Sequence, residues 1–137
     1  MRIARIPWTL SSVVCLTFIL SLSPVRASDD LQVSPFYQRW QLMEKEIQKL
    51  KGLLPAGREP ESSRDAMERS DIMKRIIVIY NEAAGMFSSG ETFTDYPERE
   101  RQWYAHMRRT CRIYSDAWRK QATSMEEAAV RLRGEGK

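Results

Sequence analysis

Among the residues that could carry out chemistry, one cysteine stands out by its surroundings. Cys111 lies in the stretch RRTCRIYSDAWRK (108–120), between arginines and aromatic residues. A thiol beside cations can be held as a thiolate, which is the reactive form in thiol-dependent enzymes. A second interpretation comes from the apolar residues, which follow one another at intervals of 3 and 4: Tyr104, Met107, Cys111, Tyr114 and Trp118. That spacing puts Cys111 on the apolar face of a helix, so we expect a buried free thiol that packs as a small apolar side chain.

Other catalytic and metal-binding patterns are scarce. His106 is the only histidine in the sequence, so a serine- or cysteine-based catalytic pair would have to use it. It precedes Met107 by one position, which turns it about 100° away from the apolar face. The sequence contains no CxxC or HxxxH pair and no glycine-rich phosphate-binding spacing. We therefore expect no enzymatic activity, no metal site and no cofactor.

Four arginines predict an interaction surface. Their spacings of 7, 4 and 7 put them on one face of a helix: Arg101, Arg108, Arg112 and Arg119. The segment 97–120 has seven Arg or Lys against three Asp or Glu, while 55–96 has five against eight. The arginines could bind an acidic protein or an anionic membrane surface. Alternatively, they could pair with acids of the preceding helix, such as Glu68, Asp71 and Glu82.

The stretch TCRIYSDAWRK (110–120) resembles the C-terminal helix of the cytochrome c-prime group. Six residues stand where that group's pattern, T-C-K-x-C-H-D-x-aromatic-R, has its counterparts: Thr110, Cys111, Arg112, Asp116, Trp118 and Arg119. The second cysteine and the histidine, which carry the haem in that group, are replaced by Tyr114 and Ser115. The resemblance therefore implies a relative without covalently attached haem.

Methionines on the predicted apolar faces raise an alternative function. A helical bundle can hold haem between facing helices with methionine as an axial ligand. The candidates are Met43, Met73 and Met107. A bundle that binds haem or another small ligand is therefore the alternative to a protein that acts by binding other proteins.

The first 27 residues have the features of a secretory signal. Arg2 and Arg5 precede an apolar run at 8–22, and Val25 and Ala27 are small residues at the −3 and −1 positions of a cleavage site. We expect cleavage after Ala27 and a periplasmic or secreted protein. An uncleaved membrane anchor is the alternative, and this segment would then be the protein's contact with the membrane.

Cleavage limits what the remaining chain can be. It would leave 110 of the 137 residues, enough for one small domain. The net charge would fall from +4 to +1 with the loss of Arg2, Arg5 and Arg26, so the charge does not indicate a nucleic-acid partner. One cysteine would remain, which excludes an internal disulfide. Packing must therefore hold the fold together.

Helix-start signals and apolar periodicity predict three helices. The first runs over 35–54, with Ser34 as N-cap and proline as its first residue. The second runs over 63–88 and opens with Ser62 and Asp65 as a capping box. The third begins at Pro97. A second capping box at 123–127 offers the alternative that this helix breaks near 123 and resumes as a short fourth helix.

The apolar faces of the first two helices repeat at intervals of 4 and 3, as in a heptad. They are formed by Phe36, Trp40, Met43, Ile47, Leu50 and Leu54, and by Ala66, Ser70, Met73, Ile77, Tyr80, Ala84 and Phe87. We expect an all-α fold, an antiparallel three-helix bundle over 35–133 with disordered residues at 28–34 and 134–137. Such narrow faces also suit coiled-coil pairing in a homodimer, where Cys111 could meet its own copy.

These features predict a small exported helical bundle that acts by binding other proteins. Its role would be that of a subunit, an adaptor or an accessory factor. The predicted contact surface is the arginine row of the third helix, which suits an acidic protein partner.

Overall fold

Three α-helices make up most of residues 34–136, the part of the chain that this computed structural model describes. They are α1 (Pro35–Gly52), α2 (Ser63–Thr92) and α3 (Glu98–Gly134). No strand occurs in this part of the chain, and the predicted all-α bundle is confirmed. The predicted signal segment at 1–27, residues 28–33 and Lys137 lie outside the described residues. No helix among residues 34–136 is long and apolar enough to cross a membrane.

The first two helices begin where the sequence predicts. Ser34 is the N-cap of α1, but its hydroxyl makes no capping bond and instead lies 2.5 Å from the hydroxyl of Tyr104. At the start of α2, the amide of Asp65 donates to Ser62 Oγ at 3.1 Å. The carboxylate of Asp65 accepts from the amide of Glu61 at 3.0 Å, one residue before the N-cap. The capping box is therefore present, with its return bond displaced by one residue.

The third helix runs unbroken to Gly134, so the alternative of a break near residue 123 followed by a short fourth helix is wrong. Thr123 lies inside the helix, where its hydroxyl donates to the carbonyl oxygen of Arg119 at 3.0 Å. Buried residues lie on both sides of this point on the face toward α2: Ala122, Met125, Ala128 and Ala129. Packing against α2 therefore keeps this segment helical and overrides the local capping signal.

The core lies between α2 and α3, which pack antiparallel along most of their lengths. Every residue of the predicted apolar face of α2 is buried. Helix α1 packs beside them and adds Ile47 and Leu50 to the main core. Two smaller clusters follow along α2 and α3, one around Met73 and Met125 and one around Ala66.

Aromatic rings close the end of the bundle where α2 turns into α3. Tyr104 is fully buried there, and its ring lies 5.3 Å from that of Phe36 and 6.1 Å from that of Phe87. Its hydroxyl donates to Glu100 Oε1 at 2.5 Å. Burial raises the pKa of Tyr104 above its ordinary value. The start of α1 is thus attached to the start of α3 through Tyr104, Ser34 and Phe36.

Candidate interaction surface

The structure gives the four predicted arginines different surroundings. Arg101 pairs with Glu98 in the first turn of α3, and Arg119 pairs with Asp116 at 3.5 Å in the middle of the same helix. These are short-range pairs between residues three apart, which contribute only a few tenths of a kcal/mol when exposed. Their main effect is to supply each arginine with a neighbouring carboxylate from its own helix.

Arg108 connects two helices. Its Nε lies 3.0 Å from Glu91 Oε2 on α2, and both side chains are about seven-tenths buried. Of the four arginines, only Arg108 pairs with an acid of α2, and that acid is Glu91 and not one of the three candidates that the sequence suggested. Arg112 differs from the other three, because it is exposed and no carboxylate of residues 34–136 lies within 4 Å of it.

An exposed isoleucine lies beside Arg112. Ile113 is 68% exposed, as is Val130 at 73% further along the same helix. The other large apolar residues of α3 are buried or half-buried.

Arg109 and Lys120 lie four residues before Ile113 and seven after it, which places them on the same side of the helix. Both are exposed, and neither forms an ion pair within the described part of the chain. Asp116, three residues after Ile113, pairs with Arg119. We call these four residues the Ile113 patch: Arg109, Arg112, Ile113 and Lys120.

The spacing of the cations alone does not reveal this patch. Ile113 lies two positions after Cys111, about 200° round the helix from the buried face. An isoleucine in that phase of an amphipathic helix is the signal that would have found it. The patch shares Arg112 with the predicted row and replaces Arg101, Arg108 and Arg119, whose side chains already have acidic neighbours.

Cys111 lies in the main core with no exposed surface, and it is unpaired. Burial raises the pKa of its thiol to about 12, because an apolar environment disfavours the thiolate. The arginines on either side of it in sequence point to other faces of α3, where Arg108 meets Glu91. At neutral pH the thiol is therefore protonated, which is the unreactive form.

A crevice between the three helices reaches Cys111. Its volume is about 60 Å³, and its walls include Trp40, Lys51, Tyr80 and Tyr114. Sites for small organic ligands usually measure about 300–1,000 Å³, whereas a water molecule in the liquid takes up about 30 Å³. A haem or a ligand of similar size would require the helices to move apart at this point.

The side chains around the crevice hold one another in place. The ring of Tyr80 stacks on that of Tyr114 at 5.4 Å. The ammonium group of Lys51 lies 5.7 Å from the ring centre of Trp118, and burial lowers the pKa of this lysine. Of the methionines proposed for haem, Met43 and Met107 pack against the main core while Met73 belongs to a separate cluster.

Two positions of the cytochrome c-prime resemblance take part in packing. Tyr114 and Ser115 stand where that group has its cysteine and histidine. Tyr114 stacks on Tyr80, while Ser115 is buried and donates to Asn81 Oδ1 at 2.7 Å. Both side chains thus form contacts between α3 and α2 at the positions where the cytochrome c-prime group binds haem.

The remaining observations concern metal binding and similarity to known proteins. Residues 34–136 contain no cluster of three histidine, cysteine or acidic side chains that could hold a metal ion, and His106 is exposed. The chain matches no family model, and no curated protein or solved structure is significantly similar to it. The resemblance to the cytochrome c-prime group therefore rests on residues 110–120.

Proposed function

We propose that this protein is an exported helical bundle that acts by binding a protein partner through the Ile113 patch. The observation that carries the proposal is an isoleucine that is 68% exposed beside three exposed cations that form no ion pair among the described residues, the nearby Asp116 being paired with Arg119. The features of the first 27 residues support export to the periplasm or the exterior. The protein would serve there as a subunit, an adaptor or an accessory factor.

The chemistry of the patch suits an acidic protein surface with an apolar centre. Burying Ile113 in a contact would contribute roughly 1–2 kcal/mol. The cations at Arg109, Arg112 and Lys120 would steer an acidic partner and fix its orientation. Arginine is also enriched at protein interfaces, where it combines charge with apolar contact area.

A binding experiment with matched variants tests this function. The patch variant carries Arg109→Glu, Arg112→Glu and Ile113→Ser. The control variant carries Arg39→Glu, Lys45→Glu and Leu42→Ser on α1, where Leu42 is 67% exposed. Both variants change the charge by the same amount and remove one exposed apolar residue, so they differ in the surface that they alter.

Each protein would be used as bait for proteins of the envelope fraction of its native cell. We expect the wild type and the control variant to capture the same partner and the patch variant to lose it, with all three showing the same helical circular dichroism. Equal capture by the patch variant, or no protein enriched by the wild type, would exclude the proposed function.

A further inference from the structure

Helix α1 is attached to the bundle less extensively than α2 and α3 are attached to each other. Two of its 18 residues are buried, whereas α2 buries eleven residues and α3 buries seven. Burial of apolar surface is the main source of stability in a folded domain, so most of the stability resides in the pair formed by α2 and α3. We call these two helices together the α2–α3 hairpin.

The α2–α3 hairpin has contacts of its own in which α1 takes no part. Ser115 on α3 donates to Asn81 Oδ1 on α2 at 2.7 Å. The core cluster around Met73 and Met125 is formed by buried residues of α2 and α3. These contacts remain in place if α1 moves away, so the hairpin can stay folded without it.

The contact between α1 and the hairpin is incompletely packed. It contains the crevice of about 60 Å³, which is lined by Trp40, Ile47 and Lys51 from α1 and by Cys111 from α3. Atoms that face such a gap lose part of their dispersion energy. Burial also lowers the pKa of Lys51, because its ammonium group loses contact with water. Both features make the contact of α1 weaker than a fully packed one.

The segment that follows α1 has an exposed part at residues 55–57. Gly57 has a φ of 66°, and a Cβ at this position would have no atom within 4 Å. The chain is fixed again directly after it, because Arg69 on α2 donates to the carbonyl oxygen of Arg58 at 2.6 Å. Rotation of the backbone at 55–57 would therefore move α1 without disturbing the start of α2.

We propose that α1 is a hinged cover, which swings away from the α2–α3 hairpin at residues 55–57 and uncovers Cys111 while the hairpin stays folded. Local opening of this kind needs less free energy than complete unfolding. The contact between the hydroxyls of Ser34 and Tyr104, 2.5 Å apart, keeps the closed form dominant. The position of α1 then controls access to the thiol, independently of the Ile113 patch on the outer face of α3.

Opening also uncovers aromatic rings of the hairpin. In the closed form the ring of Trp40 lies 5.7 Å from that of Phe87 and 6.4 Å from that of Tyr80. These two rings lose their cover when α1 swings out. The closed form therefore hides an aromatic surface together with the thiol.

Alkylation of Cys111 by iodoacetamide in urea tests the opening. The rate is followed by the mass of the peptide that contains Cys111, at urea concentrations below the unfolding transition of the wild type. Because movement of α1 exposes less surface than complete unfolding, we expect the logarithm of the rate to rise with less than about half the slope of the unfolding equilibrium. A slope equal to that of unfolding overturns the inference. A rate independent of urea also overturns it, because the reagent would then enter through the crevice.

Two variants separate opening of α1 from unfolding of the hairpin. Trp40→Ala weakens the contact of α1, whereas Met125→Ala weakens the core between α2 and α3. We expect Trp40→Ala to accelerate alkylation at least about tenfold and Met125→Ala to accelerate it less than about twofold, although it lowers the global stability.

Equal acceleration by the two variants, or none by Trp40→Ala, overturns the inference, since the thiol would then be reached by complete unfolding or without any opening of α1. If Trp40→Ala does not fold, the urea series on the wild type decides between the same alternatives.

Discussion

The ring of Tyr104 lies directly on the backbone of Gly90, so closely that a Cβ at position 90 would lie 2.9 Å from Tyr104 Cδ2. No pair of nonbonded carbon atoms tolerates that distance without movement. The absence of a side chain at Gly90 therefore allows the last turns of α2 to approach the start of α3. The same tyrosine ring contacts Phe36 at 5.3 Å, which brings α1 into this end of the bundle.

Replacing Gly90 by alanine should destabilise the protein. The added methyl group must push Tyr104 away from its hydrogen-bonded position, at a cost of about 1–3 kcal/mol, which exceeds the gain of up to about 1 kcal/mol from better helix propensity. Gly85→Ala is the matched control, because nothing lies within 4 Å of a Cβ at that position in the same helix. We expect Gly85→Ala to stabilise the protein by about 0.5–1 kcal/mol in urea unfolding. Equal effects of the two substitutions would contradict the packing described here.

Replacing Cys111 by alanine should lower the free energy of unfolding by about 1–2 kcal/mol at pH 7, because the substitution removes a fully buried sulfur atom.

Non-reducing gels of the wild-type protein should show no disulfide-linked dimer. Alkylation of the folded wild type by iodoacetamide should be slow and should accelerate on unfolding. Rapid alkylation under native conditions would show that the thiol is accessible.

The pH dependence of stability should also reflect the burial of the Cys111 thiol. Burial in the folded protein raises the pKa of the Cys111 thiol from about 9 to about 12. The neutral thiol therefore makes its full contribution to the free energy of unfolding below pH 9, and this contribution is lost as the pH rises toward 12. The loss reaches up to about 1.4 kcal/mol per pH unit in that window. We therefore expect the advantage of the wild type over Cys111→Ala to shrink between pH 9 and pH 11. A constant difference over this range would contradict a buried neutral thiol.

Arg69 and Asp65 should set the stability of the loop before α2. The guanidinium of Arg69 is nearly fully buried, donates to both carboxylate oxygens of Asp65 at 2.7 and 2.9 Å, and donates to the carbonyl oxygen of Arg58 at 2.6 Å. Lysine cannot make this set of bonds. We expect Arg69→Lys to cost about 2–4 kcal/mol in urea unfolding, whereas Arg64→Lys, an exposed control in the same helix, should change little.

Acid should weaken the same contact. The hydrogen bond from Arg69 holds the pKa of Asp65 below its ordinary value. Because this pKa is lowered in the folded state, the ionised carboxylate stabilises the fold at pH values above its ordinary pKa, which is near 3.8. This stabilisation is lost as the pH falls below that value. We expect the wild type to lose more stability than Asp65→Asn between pH 5 and pH 2. Parallel curves for the two proteins would show that the contact is absent in solution.

The fold was predictable from the sequence wherever one face of a helix is buried. The apolar faces around Ile47, Tyr80 and Cys111 were predicted by spacing, because burial of one side of a helix imposes a period of about 3.6 residues. The signals that start α1 and α2 were also correct, since proline and capping residues act within a single turn.

The errors arose where distant contacts override local signals. Ala122 and Met125 pack on α2, so α3 continues through a sequence that would start a new helix in isolation. The predicted end of α2 at residue 88 falls four residues short of Thr92, because Gly90 allows close packing against Tyr104. Neither contact can be read from neighbouring residues.

The interaction surface was less predictable than the fold. Helical phase grouped the arginines correctly, but it could not show which of them already have a carboxylate beside them. Arg108 meets Glu91, a residue seventeen positions away in sequence, and this contact depends on how α2 and α3 are aligned. The exposed Ile113 follows from phase alone, once α3 is known to be continuous and buried on the other side.

The most direct test of the Ile113 patch as a binding surface is photo-crosslinking in the native envelope, with a photo-activated residue built into the protein. Benzoylphenylalanine would replace Ile113 in one version of the protein and Leu42 in another, two positions that are 68% and 67% exposed on different helices. We predict a crosslinked protein adduct from position 113 and none from position 42. The absence of an adduct at position 113, or equal adducts at both positions, would contradict the claim that the Ile113 patch is the binding surface.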